Sequence, residues 1–181
     1  MLPIVPPIIP KMEIKRLEEC DPGELVREEG TDGWGLATLL KNDEGVQHGL
    51  IQLFSNPPGI GLRMPPKGSI KYVLSFGHGY DFIVDPRTNY KMGSGDNPIQ
   101  KSIGAVRVYS DAMFMNIADG TYYDLATRLI MEEGERAMGT QTVTFGGWKM
   151  CWSDPLMKDY QPIYDFNLKH ASISQTPPVP R

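Results

Sequence analysis

The residues best suited by type to do chemistry fall within SFGHGYDFIVDP, where Ser75, His78, Asp81 and Asp85 lie close together. A histidine between Gly77 and Gly79 sits on a tight turn open to solvent. An imidazole titrates near neutral pH, so His78 could move a proton or ligate a metal, with the two carboxylates orienting it or joining it. Register works against this. If Tyr80–Asp85 is a strand, Asp81 and Asp85 share a face, while His78 belongs to the turn and need not point their way. Ser75 lacks the Gly-x-Ser-x-Gly elbow that exposes a nucleophile. His78, Asp81 and Asp85 are therefore the candidate site of a small hydrolase or of a small-molecule or carbohydrate-binding β-domain. A hairpin tip with solvated aspartates is the simpler expectation.

Other motifs are weaker. His48 reads as part of a polar loop ahead of a strand, and His170 lies at the approach to the tail. PPGIGLR (57–63) lacks the third glycine of a dinucleotide fingerprint and the Gly-Lys-Ser/Thr ending of a phosphate loop, so it reads as a plain loop. Asp85, Asn89 and Asp96 offer oxygen ligands, but their spacing departs from that of a calcium loop and no glutamate closes it. No metal and no cofactor is expected. Trp148, Trp152, Tyr160, Tyr164 and Phe166 could form a carbohydrate-binding or partner face, although core packing is the simpler role. Met113, Met115, Met131, Met138, Met150 and Met157 could form an adaptable interface or fill gaps in a core.

Composition narrows the class. The chain has 181 residues, with 40% hydrophobic and 22% charged, enough apolar content to fold. Its formal net charge is −4, and the longest basic run is the pair Lys15-Arg16, so the cationic stripe that nucleic acid requires is missing. Cys20 and Cys151 have no CxxC spacing and read as two reduced thiols. The opening MLPIVPPIIP is apolar, but no basic residue precedes it and its prolines would break a leader helix. No stretch approaches the ~20 apolar residues that cross a bilayer. The expectation is cytoplasmic synthesis without nucleic-acid or membrane partners, and incorporation into a particle.

The elements that would position any site have a period of two. Trp34, Leu36 and Leu40 share a face, as do Ile70, Tyr72, Leu74 and Phe76, with Lys71 and Ser75 pointing the other way. Tyr80, Phe82 and Val84 repeat the pattern. Turn clusters such as Asn42-Asp43-Glu44-Gly45 and Pro65-Pro66-Lys67-Gly68 separate these runs. Further strands are expected at 24–29, 105–110, 113–117, 142–145 and 148–152. Segment 121–138 reads two ways. Tyr122, Leu125, Ala126, Leu129 and Ile130 make a helical stripe, Asp124, Arg128, Glu132 and Arg136 a charge ladder, and Thr121 with Asp124 a capping box. The alternation of Thr121, Tyr123, Leu125, Thr127 and Leu129 suits a strand, and the helix is preferred. The predicted fold is mainly β: an antiparallel sandwich or barrel-like single domain over 12–170.

Proline-rich arms flank that domain, at 1–11 and 171–181. Leu2, Ile4, Val5, Ile8 and Ile9, with Val179 at the other end, would be costly to leave in water, and proline lowers the entropy lost when an extended arm docks. These residues are the expected interface of a non-enzymatic structural protein that self-associates or joins a larger assembly, such as a virion-like shell. A regulator whose proline segments are ligands for a peptide-binding domain is a third reading.

Overall fold

A computed structural model describes residues 12–28, 33–42, 45–55, 58–90, 102–109, 112–132, 143–153 and 162–169. They form β1 (Glu13–Arg16), β2 (Leu25–Glu28), β3 (Trp34–Asn42), β4 (Gly45–Ser55), β5 (Pro58–Arg63), β6 (Tyr72–Ser75), β7 (Tyr80–Val84) and β8 (Asn89–Tyr90). Then come β9 (Val106–Tyr109), β10 (Ala112–Ala118), β11 (Thr121–Asp124), β12 (Ile130–Glu132), β13 (Val143–Phe145), β14 (Gly147–Trp152) and β15 (Tyr164–Asn167). Short 3-10 turns occupy Leu17–Glu19 and Pro86–Thr88.

The strands build three open antiparallel sheets. One has the order β1-β6-β2-β3-β4-β5, the second β12-β11-β10-β9-β13-β8, and the third β15-β14-β7. None closes on itself, so the arrangement is sandwich-like and the barrel form of the expectation is set aside. All three sheets send side chains into one core. Leu25, Leu36, Ile51, Leu53 and Ile60 come from the first sheet, Val106, Met115, Ile117 and Tyr123 from the second, and Tyr80, Trp148, Met150, Tyr164 and Phe166 from the third. The first sheet is buried on its other face too, where Val26, Ala37, Leu50 and Val73 pack with Leu17 and Cys20 of the 3-10 turn.

Trp148 lies at the centre, with Phe166 stacked on it at 5.5 Å and Phe82 meeting it edge-on at 5.4 Å. Its indole N–H donates to the Gly104 carbonyl at 2.8 Å. Gly104 adopts φ +87°, and a Cβ there would overlap the Phe166 ring, so this turn requires glycine.

Several expectations hold. Strands occur at 25–28, 34–42, 80–84, 106–109, 112–118, 143–145 and 147–152, and Tyr80 is buried while its neighbour Asp81 is exposed. Three need correction. The helix expected over 121–138 is absent from the described part of that segment, which is a hairpin. Tyr122 faces Met131 and Tyr123 faces Ile130 in register, and Tyr122 and Tyr123 are buried on opposite faces of the sheet. A strand with two buried faces carries apolar residues in consecutive positions, and that imitates a helical stripe. Asp124 does not join a charge ladder; its carboxylate accepts the N–H groups of Ala126 and Thr127. Arg128 then takes φ +63°, which ends any helix. Residues 58–63 are not a loop but β5, with Gly59 facing Phe54 and Gly61 facing Gln52. His48 sits within β4 opposite Leu39. Among the described residues no helix is long and apolar enough to cross a membrane.

Gly104→Ala is expected to lower stability by at least about 2 kcal/mol, combining left-handed backbone strain with overlap at Phe166. Chemical denaturation monitored by Trp fluorescence measures it. A change below about 0.5 kcal/mol would show that the turn can move away from the core.

Candidate functional site

The residues singled out in SFGHGYDFIVDP are dispersed into separate structural contacts. Ser75 is 2% exposed on β6. Its hydroxyl donates to Glu24 Oε2 at 2.5 Å and accepts the Gly77 N–H at 3.1 Å. It is thus committed to a carboxylate on the covered side of the first sheet, out of a substrate's reach. His78 is exposed, with Nε2 3.1 Å from the Pro22 carbonyl. Asp81 lies on the outward side of β7, in register with Cys151. Asp85 accepts from Arg87 Nε and from an Arg87 terminal nitrogen, both at 2.9 Å, and from the Arg87 N–H at 3.0 Å. That guanidinium beside it holds its carboxyl below the usual range. Among the described residues no hydrogen bond or ion pair joins His78 to Asp81 or Asp85, and no cluster of three or more His, Cys, Asp or Glu has metal-binding geometry.

The structure assembles polar groups that local spacing could not reveal. Lys15 Nζ contacts Glu24 Oε1 at 3.0 Å, so Ser75, Glu24 and Lys15 form a chain of contacts beside the buried Cys20. Burial pushes the Glu24 carboxyl up, but its hydrogen bonds from Ser75 and Lys15 outweigh that, and its pKa falls below the ordinary value. Burial, with the Glu24 charge beside it, pushes the Cys20 thiol up to about 12, which keeps it protonated and a poor nucleophile. Cys20 and Cys151 are both free thiols. Glu28, also buried, is held by Lys71 at 2.6 Å and Arg63 at 2.9 Å.

A third cluster joins two turns. Tyr80 donates to the Gly23 carbonyl, which also accepts from Arg128, and the Arg128 guanidinium lies 5.2 Å over the Tyr80 ring. Burial raises Tyr80 to about 12 and Tyr123 well above its ordinary value, so both hydroxyls stay protonated. The Tyr123 hydroxyl neighbours this group without a hydrogen bond of ordinary geometry. Partners 48 and 105 residues apart carry no local sequence signal.

The aromatics of the last quarter are mostly core, the simpler of the two roles the sequence allowed. Trp148, Tyr164 and Phe166 are buried, and Trp152 packs against Trp34 and Phe76. Tyr160, His170, Asp96 and the arm residues Leu2, Ile4, Val5, Ile8, Ile9 and Val179 lie outside the described residues. Met115 and Met150 are core residues, Met113 and Met131 are partly buried, and Met138 and Met157 also lie outside.

Among its charged residues, the described surface also presents an apolar strip. Ile14 is 75% exposed, Ile70 63% and Tyr72 56%, with Met12 also exposed. Ile14 pairs with Leu74 and Arg16 with Tyr72, so Ile14, Leu74 and Tyr72 share one face, and alternation adds Met12 and Ile70. Leu74 pairs with Arg27 and Arg27 with Trp34, so this strip continues the core-facing side of the first sheet past its cover. The sequence predicted the shared face of Ile70, Tyr72, Leu74 and Phe76. It did not predict that Ile70 and Tyr72 would be exposed while Val73 and Ser75, on the opposite face, are buried.

Comparison with protein-family models, with curated proteins and with solved structures finds no match to this chain.

His78→Ala should change stability by less than ~0.5 kcal/mol, whereas Ser75→Ala, which removes a partner from buried Glu24, should cost about 1–3 kcal/mol. The Glu24 carboxyl is held below its unfolded value near about 4.3, so its contribution is complete above that pH and is lost as pH falls through the folded pKa. Urea melts between about pH 7 and 3 should therefore show a steeper acid loss for wild type than for Glu24→Gln. Equal slopes would remove Glu24 from the acid response.

Proposed function

We propose that this chain is a non-enzymatic assembly protein: a sandwich-like β-domain over 12–170 that self-associates or joins a larger particle, aided by the arms 1–11 and 171–181. The observation that carries this is the strip of Met12, Ile14, Ile70, Tyr72 and Leu74, which extends a core-type face into solvent beside the point where residues 1–11 join β1. Fully burying one Leu, Ile or Val side chain is worth ~1.5–3 kcal/mol, so covering even part of this strip and the arm's Leu2, Ile4, Val5, Ile8 and Ile9 gives a substantial drive to associate.

The small-molecule reading draws less support. Ser75 and Asp85 are engaged in structural contacts, and His78 and Asp81 serve separate places. Two depressions formed by described residues hold ≈ 150 and ≈ 170 Å³, below the ~300–1,000 Å³ usual for a ligand site.

Light scattering over a concentration series, on the full chain and on chains lacking 1–10 or 174–181, tests the proposal. The full chain should associate. Loss of 1–10 should weaken association at least about tenfold, ~1.4 kcal/mol, with the thermal midpoint of the dilute monomer nearly unchanged. Loss of 174–181 should act in the same direction but less, since Val179 is the only large aliphatic side chain in that segment. A full chain that is monomeric throughout and binds no assembly would overturn the reading. Equal association of the chain lacking 1–10 would remove the arm from it.

A further inference from the structure

Resting on the assembly reading, we propose that β1 pairs edge to edge with β1 of a second copy, antiparallel, with Ile14 opposite the partner's Ile14 on a two-fold axis normal to the sheet. Among the described residues β1 is the terminal strand of its sheet, bonded to β6 on one side only. The Leu17 N–H donates to the Lys71 carbonyl at 2.8 Å. Hydrogen bonding alternates along an antiparallel strand, so Lys15 and Glu13 direct their backbone groups to β6, while Ile14 and Arg16 direct theirs to the free edge. The Arg16 N–H agrees with this, because it donates to Glu19 Oε2 at 3.0 Å rather than to β6. Glu19 thereby caps the edge at Arg16 and leaves Ile14 as the residue that offers both an N–H and a C=O to a partner strand.

Symmetry and charge then fix the register. Strands related by a two-fold axis normal to the sheet place residues of the same face opposite one another. Four registers centre on a residue of β1. Those centred on Glu13, Lys15 or Arg16 set each of these against its own copy and oppose like charges. Centring on Ile14 opposes no like charges: Glu13 falls opposite the partner's Lys15, which also holds Glu24 and lies 3.8 Å from Glu13 of its own copy, and the two Ile14 side chains fall side by side. The result is a continuous sheet across both copies, in which the two apolar strips merge beside the sites where residues 1–11 join. One residue's pair of hydrogen bonds is a weak contact alone. Arms that engage at the same time raise its effective concentration and give it strength.

Ile14→Pro removes the outward N–H but no bond to β6, so it should leave the dilute monomer folded and weaken association at least about tenfold by light scattering. Ile14→Cys, made with Cys151→Ser, reads the register independently. Opposed residues of a hydrogen-bonded pair have Cα atoms about 5.5 Å apart, within disulfide reach. Mild oxidation should give a covalent dimer for Ile14→Cys much faster than for Glu13→Cys, whose own copy is out of register. If the full chain associates but Ile14→Pro associates equally well and the two cysteine variants cross-link at equal rates, the β1 pairing is wrong and assembly through another surface stands. If the full chain never associates, the assembly reading itself fails. Should Ile14→Pro lower the monomer's thermal midpoint, the cross-linking rates decide.

Discussion

The buried indole of Trp148 sets the main constraint on this fold. An N–H buried without an acceptor costs about 1–3 kcal/mol, so the chain must deliver an oxygen to the middle of an aromatic cluster. It does so with the Gly104 carbonyl, from a turn just ahead of β9. That turn needs φ +87° and tolerates the Phe166 ring against it, which only glycine allows. One hydrogen bond thus relates the three-stranded sheet, through β14, to the six-stranded sheet that contains β9. The neighbouring Tyr164 extends the linkage to the other six-stranded sheet. Its hydroxyl lies 2.7 Å from the Gly59 carbonyl and 3.0 Å from the Gly59 N–H, at the β4–β5 hairpin. Aromatic bodies fill the space between the sheets, and their polar tips fasten one sheet to another.

Covering both faces of the first sheet has a chemical consequence. Glu24, Glu28 and Ser75 lie where water is excluded, and a buried carboxylate is tolerable only when paired and hydrogen-bonded. Lys15 and Ser75 satisfy Glu24, and Arg63 and Lys71 satisfy Glu28. A serine, a carboxylate and an ammonium in contact resemble parts of a catalytic site. Here they close a layer, and the same burial that lifts Cys20 removes its thiolate. Of the chemically capable groups singled out, Ser75, Glu24, Glu28 and Cys20 are engaged in the fold, while His78 and Asp81 stay exposed.

Much of the architecture was legible because strands with one buried face alternate: Tyr80, Asp81 and Phe82 announced β7 directly. Strands with two buried faces lose that signal. Leu50 and Ile51 are adjacent and both buried, on opposite faces of β4, and Tyr122 and Tyr123 do the same on β11; the first strand was expected only after His48, without bounds, and the second was read as a helix in preference to a strand. Glycine misled as well. Gly59 and Gly61 suggested a loop, yet in β5 Gly59 pairs with Phe54 and Gly61 makes room for the Phe54 ring across the ladder. Of the candidate site, the poor register of His78 with Asp81 was readable from strand parity. The Ser75–Glu24 and Tyr80–Arg128 contacts were not, because their partners are distant in sequence and meet only through topology.

The free edge of β1 carries features that usually discourage pairing: it is four residues long, it bears a lysine, and a glutamate side chain occupies one of its amides. Such an edge is closed to most strands. In the proposed pairing, the alternation Glu13-Ile14-Lys15 leaves one exception, because its own antiparallel copy can be opposed in a single register that sets no like charges together. On that proposal, the features that discourage indiscriminate pairing and those that admit one partner would be the same four residues, with selectivity coming from what is excluded as much as from what is gained. In the proposed assembly, an edge next to the end of residues 1–11 would couple two devices: the edge would set orientation and register, and the apolar arm would add the buried area that so short a strand lacks.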